Sequence, residues 1–327
     1  MRNFSYLRAT STAEASQAAQ QAGAMLLAGG TTLLDLAKCG VSEPEAVIDI
    51  THLSGFSNIV VDTAGARIGA LARMSEVADH KDIRAAFPAV SQSLSLAASA
   101  QLRNMATIGG NLLQRTRCSY FRDPGAFPAC NKRNPGSGCS AIGGVTRNHA
   151  VLGTSEECIA SYPGDLAVAL VAFDAVVETD SRKAVIDDFF LQPGDTPDRE
   201  TTLRRGEIIT AISIPASGAA RNSTYLKVRD RQSYEFAAAS AAVGLELEAD
   251  GRTVRDIRVA LGGVATRPWR ARNVEQALLG KTLAAELVEK ASRLAMEDAV
   301  SHGGNRYKIE LAPRVIARAI LKIGGLA

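Results

Sequence analysis

Cysteine, histidine and aromatic side chains are scarce in this chain: 5 Cys, 4 His and 1 Trp in 327 residues, with aromatics at 5%. No H-E-x-x-H, no G-x-S-x-G elbow and no close acid–base pair occurs, so zinc-protease and serine-hydrolase catalysis lack their signatures. His52, His80, His149 and His302 are dispersed and read as surface or internally satisfied side chains rather than ligands. Long apolar runs are missing too: the longest, LAVALVAF, falls well short of the about 18 residues a membrane-spanning helix needs. The N-terminal MRNFSYLRATSTAEASQAAQQAG has neither an apolar stretch nor a twin arginine, so no signal peptide is expected in it. Neither charge predominates. The 37 Lys and Arg nearly balance 34 Asp and Glu, and a net charge of +3 leaves no footprint for nucleic acid.

What is present is apolar, and punctuated by glycine. A hydrophobic content of 46% supplies cores for two or three domains. AMLLAGG, TTLLDLAKCG and AVIDI predict a strand, a helix and a strand, a βαβ unit. IVVDTAGARIGALARMSEVAD predicts a strand hairpin feeding a helix, and AVSQSLSLAASAQLRN one small-residue helix that runs into the loop ATIGGN. DLAVALVAFDAVVET and EIITAISIP predict apolar, β-branched segments closed by Pro215. The linker ASGAARNS marks the main boundary, giving a domain over 1–216, with subdomains 1–55 and 56–216, and a second over 217–327. In that last third, strands meet at the ADG turn, and LAAELVEKASRLAMEDAV and APRVIARAILKI predict amphipathic helices. The expected class is α+β.

Two glycine loops carry the first functional signal. Gly29 and Gly30 stand between a strand and a helix that starts at threonine, where free backbone N–H groups and the positive helix end suit a phosphate; a plain tight turn has the same sequence. ATIGGN repeats the arrangement, with Thr107 as a hydroxyl donor, Gly109 and Gly110 for close backbone approach, and Asn111 for a phosphate or the turn itself. Two such loops suit the two phosphates of a dinucleotide, although neither matches G-x-G-x-x-G or the P-loop.

The second signal is a cluster of cysteines. Cys118, Cys130, Cys139 and Cys158 follow a C-x11-C-x8-C-x18-C pattern in a Gly- and Pro-rich stretch, while Cys39 stands apart as a packing residue. Common zinc folds use C-x2-C knuckles, disulfides require an oxidising compartment, and four buried thiols suit an apolar segment better than this polar one. A four-iron cluster tolerates long intervals if the loop folds around it. Arg115, Arg117, Arg122, Lys132, Arg133 and Arg147 surround the cysteines and are expected to offset an anionic cluster, or to form a solvated basic loop.

LLAGGTTLL, LRNMATIGGNLL, PGDLAVAL, LRRGEIITAISIP and YLKVRDRQSYEFAAAS, in that order, resemble the FAD-binding subunit of the molybdenum hydroxylases, the xanthine dehydrogenase family. The resemblance spans nearly the whole chain. It implies a two-subdomain FAD-binding fold followed by the family's C-terminal flavoprotein domain. It also implies roles for particular residues. Leu27, Ala28, Gly29, Gly30, Thr31, Thr32 and Leu33 would wrap the FAD pyrophosphate, and Thr107, Gly110 and Asn111 would make the second phosphate contact. Asp165 would lie near the cofactor, Ile209 against the flavin and Lys227 near its ring, although Asp165 also suits a helix N-cap and Lys227 an ordinary strand. The cysteine stretch, about 115–160, is similar to an insertion that holds a [4Fe-4S] cluster in a subset of these subunits, among them bacterial periplasmic-type aldehyde oxidoreductases. Hydroxybenzoyl-CoA reductase-like complexes carry such a cluster too, and a non-redox, zinc-stapled binding module is the reading from another class. By the same resemblance the partners are a large subunit with the molybdenum cofactor and a small subunit with two [2Fe-2S] clusters. Residence in the periplasm by export with a signal-bearing partner, or else in the cytoplasm, is the corresponding expectation.

Overall fold

The computed structural model describes residues 1–326 and builds them on three sheets that follow one another along the chain. The first holds β1 (Ser5–Arg8), α1 (Thr12–Ala19), β2 (Ala24–Leu27), α2 (Leu33–Lys38) and β3 (Ala46–Asp49), with parallel strands in the order β1-β3-β2. The expected βαβ unit is present as β2-α2-β3. The short β1 and α1 escaped the sequence reading, yet α1 has a well-formed start: the Ser11 hydroxyl accepts the Glu14 N–H at 3.2 Å, and the Glu14 carboxylate accepts the Thr10 N–H at 2.7 Å.

The second unit opens with the hairpin β4 (Ile59–Val61) and β5 (Gly65–Gly69), then α3 (Met74–Asp79) and α4 (Lys81–Ala86). The next stretch corrects the expectation of one long helix, because it is broken into α5 (Pro88–Ser95) and α6 (Ala100–Arg103). At the break Ala98 takes a φ of 47°, a left-handed conformation unusual for a residue with a side chain. ATIGGN is not a loop either. It is the N-cap and body of α7 (Ile108–Leu112), with the Thr107 hydroxyl accepting the Gly110 N–H at 3.4 Å.

After α8 (Ser119–Arg122) a long segment with little regular structure leads to α9 (Leu166–Ala172). The sequence reading took LAVALVA as a β-branched, apolar segment, and an apolar run of this length cannot be told from a buried helix by periodicity alone. Every residue of α9 is at most 1% exposed, so it needs no polar face. There follow β6 (Val176–Thr179), β7 (Lys183–Val185), α10 (Ile186–Phe189) and β8 (Ile209–Pro215), completing a sheet ordered β4-β5-β8-β6-β7.

Glu207 ties the β6–β7 turn to the start of β8. It accepts from the Thr179 hydroxyl at 2.7 Å, the Ser181 hydroxyl at 3.1 Å, the Arg182 guanidinium at 3.2 Å and the Arg204 N–H at 2.9 Å. Burial disfavours its charge, but these donors outweigh it and hold the carboxyl at about 2, below its ordinary 4.5. A depressed folded value means that the stability Glu207 contributes is present above 4.5 and lost as pH falls towards 2. Glu207→Gln is therefore expected to lower the melting temperature at neutral pH and to flatten its fall on acidification, which thermal melts across that range would measure.

The third sheet holds α11 (Gly218–Arg221), β9 (Ser223–Val228), β10 (Ala239–Leu247), β11 (Val254–Gly262) and β12 (Trp269–Arg270), antiparallel in the order β12-β11-β10-β9. Part of the proposed linker is thus the short helix α11. The β10–β11 hairpin turns at Ala249–Gly251 as expected, and α12 (Arg272–Leu278), α13 (Ala285–Arg293) and α14 (Tyr307–Ile323) cover the sheet. The last helix starts earlier than APRVIARAILKI suggested and carries Pro313 within it. A core shared by the second and third sheets joins α9 and β8 to Tyr225, Ala242 and Ala260. No helix among the described residues is long and apolar enough to cross a membrane.

Candidate functional site

The two glycine segments, about eighty residues apart in sequence, meet. A Cβ placed on Gly29 would lie 2.1 Å from the Met105 carbonyl oxygen and 3.0 Å from the Ala106 Cα, so only glycine allows this approach to the backbone just ahead of Thr107. Gly30 turns the chain at a φ of 71°. Thr32 occupies the N-cap position of α2 but makes no capping bond with its side chain.

Beside this junction lies a cavity of about 510 Å³, within the usual range for a small-molecule site. Thr31 and Thr32 line it from the first loop, Gly110 and Asn111 from α7, Ala97 and Ala98 from the helix break, and Asp165 from the start of α9. The loop between β9 and β10 contributes Asp230, Arg231, Tyr234 and Phe236. Asn111 donates to the Met74 sulfur at 3.4 Å, while its buried Oδ1 has no hydrogen-bond partner and is an acceptor free for a donor from a ligand.

Not all the residues implied by the family resemblance reach this cavity. Leu27, Ala28, Gly29, Gly30 and Leu33 frame the first loop behind it. Thr107 is 7% exposed and its hydroxyl oxygen accepts within the α7 cap, which leaves its O–H able to donate. Ile209, the first residue of β8, is 6% exposed and packs in the main core, and it is not among the residues that line the cavity.

Asp165 and Lys227 are brought together. Their side chains are 5% and 1% exposed and form an ion pair at 2.7 Å. The Tyr225 hydroxyl donates to the other Asp165 oxygen at 2.6 Å and lies 2.8 Å from the Ser240 hydroxyl. Burial raises the Asp165 carboxyl, opposed by the Lys227 ammonium and the Tyr225 hydroxyl. Asp165 does sit at the N-cap of α9, as its sequence position suggested, but its side chain makes no capping bond and reaches Lys227 instead. Lys227 also donates to the Leu96 carbonyl at 3.2 Å, where Arg229 donates at 2.9 Å, so the break between α5 and α6 presents an acceptor that a continuous helix would have used internally. Neither Tyr225 nor this carbonyl was visible in the sequence.

The cysteine segment reaches the same place. Cys118 lines the cavity, with its Sγ 3.2 Å from His149 Nε2, and His149 lines it too. Burial pushes the Cys118 thiol up to about 12, and the nearby Cys130 and Cys158 add to the shift. Burial likewise raises Cys158, with Cys139 and Cys130 acting in the same direction and the Lys132 ammonium against them. The four thiols therefore share one neighbourhood, and Cys130 and Cys139 form a β-bridge. They do not form a ready ligand cage: among the described residues no three His, Cys, Asp or Glu side chains are grouped to hold a metal ion. Cys118 Sγ meets His149 Nε2 at 3.2 Å, and Cys158 Sγ accepts the Ala160 N–H at 3.5 Å.

The six cations near the cysteines are held by partners within the fold. Arg115 and Lys132 pair with Glu200, Arg117 and Arg122 with Asp35, and Arg147 with Asp230; Arg133 donates to the carbonyls of Tyr120, Phe121, Phe127 and Pro128. They mainly hold the loop together. His149, which the sequence reading set aside as surface or core, is 4% exposed and belongs to the cavity wall, with burial holding its imidazole down at about 4.

Residues 2–217 match the family of FAD binding domains in molybdopterin dehydrogenase, and residues 224–323 match the CO dehydrogenase flavoprotein C-terminal domain. The chain belongs to the FAD-binding subunits of the molybdenum hydroxylases. It is thus one subunit of an FAD-dependent oxidoreductase complex. Among similar proteins, the aldehyde oxidoreductase FAD-binding subunit PaoB of Escherichia coli is 43% identical over 98% of both chains. The glyceraldehyde dehydrogenase medium chain of Sulfolobus acidocaldarius is 26% identical, also over 98% of both. The fold matches a chain in the structure of carbon monoxide dehydrogenase from Hydrogenophaga pseudoflava with a TM-score of 0.76, covering 100% of this chain and 99% of that one at 24% identity. The cavity suits the cofactor these subunits bind: a glycine turn with no room for a side chain, threonine hydroxyls, and a buried amide oxygen without a partner.

Proposed function

We propose that this chain is the electron-relaying flavoprotein subunit of a molybdenum-dependent aldehyde oxidoreductase. The observation that carries the reading is the 43% identity, end to end, with the FAD-binding subunit of an aldehyde oxidoreductase. FAD exchanges electrons singly or in pairs, and so can link one-electron donors to an acceptor. The protein's part is to bind and orient it. Leu27, Ala28, Gly29, Gly30, Thr31, Thr32 and Leu33 form the cradle for the pyrophosphate, and Gly110 and Asn111 face it from α7, with Thr107 holding that turn. Asp165 and Lys227 set a fixed ion pair at the cavity wall, and Ile209 supports the sheet behind it. The partners in this reading are a large molybdenum-cofactor subunit, where the substrate is selected, and a small subunit with two [2Fe-2S] clusters. The compartment in this reading is the periplasm, reached with a signal-bearing partner.

Cys118, Cys130, Cys139 and Cys158 are proposed as ligands of a [4Fe-4S] cluster, supported by the shared neighbourhood of the four thiols. Loading would require them to lose protons and turn toward one another. Anaerobic purification of the complex, with flavin, iron and sulfide quantified, tests both parts. About four iron and four sulfide per chain beyond the partners' content supports the cluster. No flavin in this subunit would overturn the first reading, and flavin without the additional iron would overturn the second. Cys130→Ser is expected to remove most of that iron while flavin content holds, because Cys130 lies apart from the cavity lining. Unchanged iron would remove Cys130 from the ligand set.

A further inference from the structure

Lys308 lies in the first turn of α14 and is 1% exposed. Its ammonium donates to the Gly263 carbonyl at 2.6 Å, and among the described residues no carboxylate pairs with it. The other buried cations all have one: Lys132 pairs with Glu200, Lys227 with Asp165, and Arg270 with Asp174 and Glu275. A buried ammonium held by one carbonyl is costly, and an anion lodged nearby offsets the cost. Gly263 itself lines the cavity, and so does His149, whose imidazole Lys308 helps to hold neutral. Burial lowers the Lys308 ammonium to about 8, so most of it is charged at neutral pH.

FAD has two anionic parts. The pyrophosphate is provided for by the glycine turn and α7, whereas the isoalloxazine becomes negatively charged only on reduction, and charge near its ring nitrogens tunes its potential. We propose that Lys308 is a positioning residue that supplies the counter-charge for the reduced flavin through the Gly263 wall of the cavity. This rests on the FAD reading above.

The test uses Lys308→Met and Lys308→Arg, with FAD titrated into the purified subunit in air and again, anaerobically, after reduction with dithionite. Lys308→Met removes a buried charge at nearly constant volume. Oxidised FAD is expected to bind the Met variant much as it binds the wild type, reduced FAD on the order of tenfold more weakly. The flavin midpoint potential falls accordingly, and Lys308→Arg restores both. Equal weakening in both redox states would mean a pyrophosphate contact or a purely structural role, and would overturn the inference, as would no change in either. If the wild type itself takes up no flavin, the FAD reading fails and the inference falls with it; if it does and only the Lys308 comparison is flat, the inference alone fails.

Discussion

A Gly29→Ala substitution is expected to weaken flavin binding by roughly one to two orders of magnitude. The added Cβ would stand 2.1 Å from the Met105 carbonyl oxygen and 2.8 Å from its carbon, and both are backbone atoms that cannot rotate away. One of the two segments must therefore retreat. Met105 is held by the turn that ends α6, through its N–H to the Leu102 carbonyl at 3.1 Å, and the next N–H, that of Ala106, bonds the same carbonyl at 2.8 Å. The glycine turn is the part that yields. It carries Thr31 and Thr32 into the cavity, so its displacement misplaces the hydroxyls and the start of α2 together. Overpacking of this kind costs about 1–3 kcal/mol, and a perturbation of that size corresponds to roughly 5- to 150-fold in affinity. FAD titration of the purified variant, with circular dichroism to show that the fold is kept, checks this. Wild-type affinity would show that the two segments do not need this contact to hold the cofactor.

Lys227→Met is expected to have the largest effect on stability. It leaves the Asp165 carboxyl, 5% exposed, with the Tyr225 hydroxyl as its remaining side-chain partner and no neutralising charge at hydrogen-bond distance. Removing one member of a buried pair typically costs about 3–5 kcal/mol. The double variant Asp165→Asn with Lys227→Met should recover much of the loss, since it removes the stranded charge. Urea denaturation of the three proteins measures both quantities. The pH dependence has a definite sign. A carboxyl whose folded value lies above its unfolded one is favoured in the protonated form, so its stabilising contribution is present at low pH and lost as pH rises through the folded value. The deficit of Lys227→Met should accordingly shrink on acidification. A variant within 1 kcal/mol of wild type at neutral pH would show that the pair carries little net energy, as fully hydrated pairs do.

The site shows why some of its parts were legible and others were not. Gly29, Gly30, Gly110 and Asn111 stand out in sequence because glycine and asparagine answer local demands, a left-handed turn or a helix start, that a short window displays. Pairing across the fold leaves no such trace. Asp165 looks like a helix cap and is one by position, yet its energetically important partners are Lys227 and Tyr225, some sixty residues away. His149 has no motif around it, and only the folding of the cysteine segment onto the cavity places it against Cys118. The pairing of five of the six cations near the cysteines was not legible, because Asp35, Asp230 and Glu200 lie elsewhere in the chain.

Sequence alone determined the βαβ start, the β4–β5 and β10–β11 hairpins, two of the three C-terminal helices and the family, because apolar periodicity, turn residues and the order of five motifs are properties of contiguous residues. Tertiary structure decided the rest. LAVALVA became a helix because it is enclosed on every side, where neither a polar face nor a strand pattern is required. The helix before α7 broke at Ala98, and the break exposes the Leu96 carbonyl to Lys227 and Arg229. The two glycine segments became one site only when Gly29 met Met105. That contact depends on backbone packing between distant segments, which no local pattern encodes.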